Sequence, residues 1–262
     1  MRYKGNSEEQ GVDKIALVTG GARRIGRSIV LKLAAEGYSV AIHCHNSLTE
    51  AEELATRIAG SGGRATVVRA NLREPREVAR IVPEAVRALG PLTLLVNNAS
   101  LFEPDELLTL EDESWDRHFA ANLRAPVFLA RDFARQLPQD REGSIVNIID
   151  QRVWKPTPHF FSYGLTKAAL FSATQTMAQA LAPRIRVNAV GPGPTLTGER
   201  QSEEDFARQS ASVLLGHGGT PAEIAEAVLY LARARSVTGQ MIAVDGGQHL
   251  AWETPDVVGI KE

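Results

Sequence analysis

Residues 14–26 read Lys-Ile-Ala-Leu-Val-Thr-Gly-Gly-Ala-Arg-Arg-Ile-Gly. The run from Lys14 to Gly20 is short, rich in β-formers and closed by glycine, as a buried strand is. Beyond it, Ile25, Ile29 and Leu33 recur at four-residue spacing and so share one helical face. Glycines between a strand and a helix let the backbone turn tightly and approach a phosphate, which the helix N-terminus then stabilises. A glycine cluster alone is a weak signal. Placed between a strand and a helix, it predicts a nucleotide site with Gly20, Arg23, Arg24 and Ile25 as contacts.

Outward from this unit, apolar runs of strand length alternate with segments of helical period. Strands are predicted at 39–44, 65–70, 92–99, 144–150, 184–190 and 240–247, and helices at 49–60, 75–89, 112–136 and 159–181. Thr220-Pro221-Ala222-Glu223 supplies a cap, a first-turn proline and a Glu at N3, which starts another helix. The strands are nearly continuous in Val, Ile, Leu and Ala, as strands are when helices cover both faces. The pattern predicts one α/β domain over 14–250, a doubly wound, seven-stranded and mostly parallel sheet. Ligands then bind beyond the carboxyl ends of the strands.

Composition narrows the class. With 44% hydrophobic and 23% charged residues, the chain can bury a core and is not a disordered sequence. A net charge of −2 leaves no basic footprint for nucleic acid. Cys44 is the single cysteine, which excludes an internal disulfide and points to a reducing, cytoplasmic setting. No apolar run reaches the ~20 residues that span a bilayer. Residues 1–13 lack the apolar stretch of a signal peptide and, with 251–262, are expected to be tails. Nothing suggests a metal site.

The end of the second strand bears on the nucleotide. An NAD enzyme places Asp or Glu there against the ribose 2′-hydroxyl. Here the sequence runs His43-Cys44-His45-Asn46-Ser47, with no acid before Glu50. A missing carboxylate, two arginines in the turn and the Ser47 hydroxyl suit a 2′-phosphate, hence NADPH, with His45, Asn46 and Ser47 as contacts. His43 itself reads as a buried strand residue.

In Tyr163-Gly164-Leu165-Thr166-Lys167, the Tyr and Lys stand one turn apart on a helical face. A phenol titrates near ~10, too high for easy proton transfer at neutral pH. A neighbouring ammonium lowers that value, so the pair can serve as a tuned general acid.

Together, the turn Thr19–Gly26, Asn97-Asn98-Ala99-Ser100 after the fourth strand, Asn122, the Tyr163–Lys167 pair and Pro192-Gly193 resemble the short-chain dehydrogenase/reductase family, which has a Rossmann fold. The resemblance covers about 14–250. It implies that Tyr163 donates the proton, that Lys167 holds the nicotinamide ribose and lowers the Tyr pKa, and that Asn122 orients a relay water. It also implies nucleotide contacts from Asn71, Leu72, Asn98, Ala99 and Ser100, with Pro192, Gly193 and Thr195 beside the nicotinamide.

Three departures point to a branch. Most members carry a Ser thirteen residues before the Tyr, where this chain has Asp150. An ionised carboxylate only accepts hydrogen bonds, which suits a substrate offering N–H groups, or a protonated acid serving a ring nitrogen. The alternatives are a broken site, or Ser162 as a substitute. Arg24 replaces the usual second glycine, and Ser100 replaces another, closely followed by Phe102, which can stack on a flat heterocycle. Together these resemble the pteridine and dihydromonapterin reductases. That implies NADPH reduction of a pterin C=N bond, with Arg24, Ser100, Phe102, Asp150 and Tyr163 on the substrate and Arg152 and Trp154 bordering it. Carbonyl reduction of oxoacyl or sugar substrates, and nicotinamide sensing without turnover, are the competing readings. Family resemblance also implies a homotetramer. The polar, glycine-bounded stretch 195–219 reads as a mobile lid or a solvated helix.

Overall fold

A computed structural model of the protein describes residues 14–198, 200–254 and 256–258. The tail expected at 1–13 lies outside them, as does part of that at 251–262. Seven strands form one sheet: β1 (Ile15–Val18), β2 (Ser39–Cys44), β3 (Ala65–Arg69), β4 (Leu94–Asn97), β5 (Gly143–Ile148), β6 (Ile185–Pro192) and β7 (Met241–Val244). Their order is β3-β2-β1-β4-β5-β6-β7, and every pairing is parallel. The order reverses between β1 and β4, which opens a crevice at the carboxyl ends. Several strands stop short of the predicted ends because those residues leave the ladder for that crevice. Thr19 and Gly20 do so after β1, and Asn98 and Ala99 after β4.

Alternation along each strand divides the core into two layers. On one face, Val18, Ile42 and Val96 pack against Ile29 and Leu33 of α1 (Arg24–Ala35), Leu54 of α2 (Leu48–Gly60) and Val228 of α8 (Pro221–Arg233). On the other, Leu17, Leu95 and Ile145 meet Ile81 of α3 (Pro75–Leu89) and Phe133 of α5 (Ala125–Gln136). Helix α8 begins as its sequence dictates: the Thr220 hydroxyl accepts from the Glu223 N–H at 3.2 Å, and the Glu223 carboxylate accepts from the Thr220 N–H at 2.8 Å.

Two expected helices are revised, and 195–219 holds the solvated helix that was one of its two readings. The helix expected over 112–136 is divided into α4 (Asp112–Phe119) and α5 by a π-helical turn at Ala120–Arg124. Pro126 has no N–H to return to the Asn122 carbonyl four residues back, and its ring crowds that group, so the turn widens. The helix expected from 159 begins as α6 (Phe161–Leu181), because Phe160 takes a left-handed conformation at φ 58°. Within 195–219 lies α7 (Glu203–Ala211), capped by the Ser202 hydroxyl on the Asp205 N–H at 3.0 Å. No described helix is long and apolar enough to cross a membrane.

Candidate active site

The turn after β1 is held from both sides. The Thr19 hydroxyl accepts from the Asn98 and Ala99 N–H groups at 2.9 and 3.0 Å. In return, the Asn98 amide donates to the Thr19 and Gly20 carbonyls at 2.8 and 3.1 Å. From β2, His43 Nδ1 accepts the Gly20 N–H at 3.1 Å while Nε2 donates to the Ala70 carbonyl at 3.1 Å. Burial pushes the His43 imidazole down to about 4, so it stays neutral and structural. A Cβ on Gly26 would stand 2.1 Å from the Gly20 carbonyl, so only glycine fits there. Arg24, in place of the usual glycine, lies at φ 52°, and its guanidinium donates to the Thr197 carbonyl at 3.1 Å, tying the turn to the loop after β6.

These residues fit a dinucleotide phosphate. No side chain caps α1, so its first N–H groups face the crevice. A cleft of about 440 Å³ beside it is lined by Arg23, Arg24, Arg27 and Arg57 together with Glu50 and Glu53. The Ser47 hydroxyl makes no capping bond at the start of α2, and His45 and Asn46 are exposed next to it. Other expected contacts are committed elsewhere. Asn71 Oδ1 accepts the Arg73 N–H at 3.1 Å, Leu72 is buried in the second core layer, and the Asn98 side chain serves the turn itself. Ile25 packs against the first core layer. Beyond β6, Gly193 donates to the Val244 carbonyl at 3.1 Å and accepts from the Thr195 hydroxyl at 3.0 Å, with Pro192 half-buried alongside.

At the carboxyl end of β5, Asp150 Oδ2 accepts the Tyr163 hydroxyl at 2.7 Å and Oδ1 accepts the Arg152 N–H at 2.8 Å. Lys167 Nζ donates to the Ile148 carbonyl at 2.9 Å and lies 5.6 Å from the Tyr163 ring centre. Burial lowers the Lys167 ammonium to about 8 against the pull of Asp150. The expected lowering of the Tyr163 phenol by Lys167 is reversed here. Burial first, and then the Asp150 charge, push that phenol well above its ordinary value. Tyr163 is therefore a firmly protonated donor beside a carboxylate. The Asn122 side chain is bonded beside this pair: its amide donates to the Leu101 carbonyl at 2.8 Å and to the Thr166 hydroxyl at 3.3 Å, and its oxygen accepts the Leu101 N–H at 2.7 Å, so it holds the loop at Leu101 against α6.

Phe102 stands at the rim. It stacks on Phe160 at 4.2 Å between ring centres and meets Tyr163 edge-on at 4.7 Å. The Arg152 guanidinium lies 5.4 and 5.1 Å from the Phe102 and Phe160 ring centres, and its buried Nη1 has no hydrogen-bond partner among the described residues. Arg200 donates to the Phe102 carbonyl from the loop before α7. Ser100 is exposed, its hydroxyl on the Leu101 carbonyl at 3.3 Å. Ser162 is fully buried and bonded to Asp105 and His118, so it cannot substitute for the missing serine. Trp154 packs against His249 at 4.8 Å and edge-on to Phe171 at 6.2 Å between ring centres. Phe160 and Arg200 escape a sequence reading because only tertiary folding brings them to Phe102. Thr19 was legible as part of the turn, though its locking role was not.

Residues 20–249 match the family model described as enoyl-(acyl carrier protein) reductase. The crystal structure of FolM alternative dihydrofolate reductase 1 from Brucella canis, complexed with NADP, is similar with a TM-score of 0.91 and 56% identity over 94% of this chain and 97% of that one. A blue fluorescent protein from a metagenomic library, in complex with NADPH, matches with a TM-score of 0.83 and 33% identity, over 89% of this chain and 97% of that one. The 3-oxoacyl-(acyl-carrier-protein) reductase FabG of Staphylococcus epidermidis is 33% identical over 244 residues, 91% of this chain and 100% of that protein.

Proposed function

The chain belongs to the short-chain dehydrogenase/reductase family and is an NADP-dependent oxidoreductase, and we propose that its substrate is a dihydropterin, reduced at a ring C=N bond. The observation that carries this reading is the Tyr163 hydroxyl on Asp150 at 2.7 Å, at the foot of an aromatic rim. A carbonyl substrate calls for two donors at its oxygen, and a carboxylate is not one. A pterin edge presents N–H groups that a carboxylate accepts and a ring nitrogen that needs a proton.

When bound, the reduced nicotinamide supplies a hydride to the ring carbon. Tyr163 gives its O–H proton to the adjacent nitrogen: the O–H bond breaks, an N–H bond forms, and solvent restores the phenol. Asp150 orients the ring by accepting its N–H groups, and Lys167, held on Ile148, fixes the cofactor ribose. Arg24, Arg23, Ser47, His45 and Asn46 serve the phosphates and the adenosine end. Phe102 flanks the ring, and the uncommitted Arg152 Nη1 offers a donor to a ring oxygen or nitrogen. The FolM similarity at 56% identity supports the same reading.

Carbonyl reduction is the second reading, favoured by the FabG relatives and opposed by Asp150. Sensing without turnover is opposed by the intact Tyr163–Lys167 pair. The deciding experiment is NADPH oxidation with dihydrobiopterin or dihydromonapterin beside a simple oxoacyl compound. Pterin turnover that is abolished by Tyr163→Phe and strongly reduced by Asp150→Ala is expected. Oxoacyl turnover with inert pterins would sink the proposal. We propose further that the enzyme works in the cytoplasm as a homotetramer. The open groove of about 360 Å³ along α4, lined by Phe119, Leu123 and Arg124, offers apolar surface for a subunit contact, which sedimentation would test.

A further inference from the structure

A second buried polar cluster lies behind the Tyr163 centre. Asp105, His118 and Ser162 come from a loop, from α4 and from the first turn of α6, and each is less than a tenth exposed. Asp105 accepts twice from Ser162: its Oδ1 takes the N–H at 3.1 Å and its Oδ2 takes the hydroxyl. The Asp105 carbonyl accepts the Phe161 N–H at 3.2 Å. Helix α6 has no cap of its own at Phe160, so a carboxylate 57 residues away caps it.

The protonation of His118 follows from its neighbours. The Glu103 N–H can only donate, and it points at His118 Nε2 at 3.2 Å, so Nε2 is bare. The proton is on Nδ1, which faces the Ser114 carbonyl at 3.0 Å and the Ser162 oxygen at 2.8 Å. The order is therefore His118 to Ser162 to Asp105, with the serine hydroxyl donating to the carboxylate. That is the wrong direction for a nucleophilic serine, which must give its proton to the histidine. Full burial of Ser162 excludes the role as well.

What the cluster does join is the two parts of the substrate site. Loop 101–106 carries Phe102, and the next residue of α6 is Tyr163. Outside the cluster the same two segments meet again, through the Phe102–Phe160 stack and through His159 on Glu106 at 2.7 Å. We infer that Asp105, Ser162 and His118 are positioning residues that set the Phe102 rim and the Tyr163 proton donor as one rigid unit. This rests on the proposed roles of Phe102 and Tyr163. The nucleotide turn, on the far side of β4, is held by Thr19, Asn98 and His43 and does not share these bonds.

The test is Ser162→Ala, which removes only the central hydroxyl, read in three ways. The KM for the dihydropterin is expected to rise and kcat to fall, together by about tenfold or more in kcat/KM, the size of a lost bond to a charged group. The NADPH dissociation constant, from cofactor fluorescence, is expected to stay as in the parent. Amide exchange at Glu103 is expected to accelerate. An unchanged KM with unchanged Glu103 exchange would overturn the inference, as would an NADPH affinity that falls in step with the substrate's. If Ser162→Ala does not fold, Asp105→Asn, which keeps an acceptor for the Ser162 N–H, is read by the same criteria. Exchange needs no substrate. A parent enzyme inert toward pterins therefore defeats the substrate proposal while the Glu103 exchange still decides this one.

Discussion

Lys167 and Tyr163 are moved in opposite directions by the same burial, because burial disfavours whichever form is charged. The ammonium falls to about 8 and the phenol climbs well above its usual range. Going up in pH, Lys167 therefore loses its charge first, while Tyr163 keeps its proton. We predict that kcat/KM, which reports groups of the free enzyme, declines above about pH 8 through loss of the Lys167 charge. A profile flat to pH 9.5 would contradict that assignment. In the proposed reading, Asp150 sets the choice of substrate at this same scale. Asp150→Ser restores a hydroxyl donor, so pterin turnover should fall by roughly 10²-fold, within the range of a lost acid–base partner, and oxoacyl turnover should rise. Parallel assays on both substrates check it, and a pterin rate left intact would remove Asp150 from the site.

The β1–α1 unit was legible element by element, because strand, glycines and helical period occur in one short run of sequence. Its tightest point is Gly26. A Cβ there would meet the Gly20 carbonyl at 2.1 Å and the Asn98 amide at 2.6 Å, both fixed by the turn they build. Gly26→Ala is expected to cost roughly 1–3 kcal/mol, as overpacking does, and to weaken NADPH binding markedly, since the turn itself must move. Thermal melting and cofactor titration would measure both, and an unshifted dissociation constant would mean that the turn does not hold the nucleotide. The α4–α5 break was half-legible: Pro126 is visible, but the apolar period runs on through it. The start of α6 was placed within two residues, at 159 against Phe161, but what caps it was not legible. Its cap is Asp105, a pairing that exists only once β4 and β5 have brought loop 101–106 across to it.

Across the molecule, the sheet and its two-layer core follow from strands whose apolar runs leave no polar face, so the fold needed no tertiary information. The polar bonds between strands were the hidden part, and His43 shows why. As a strand residue flanked by apolar neighbours, it gives no sign of tying Gly20 on the turn after β1 to Ala70 beyond β3. Its neutral ring makes folding pH-dependent. In the unfolded chain His43 titrates near ~6.5, and in the fold burial holds it at about 4. Between those values the unfolded state binds more protons, so the contribution is complete above about 6.5, erodes as pH falls, and is gone below about 4. The shift corresponds to roughly 3 kcal/mol, and His118, also lowered by burial, acts in the same sense. The parent is therefore expected to lose stability steeply between pH 6.5 and 4. His43→Gln, which loses the titrating group, should be less stable at pH 7 yet show a shallower acid slope. Denaturant melts at several pH values compare the two slopes. Parallel slopes would assign the acid sensitivity to other groups and leave His43 as a packing residue alone.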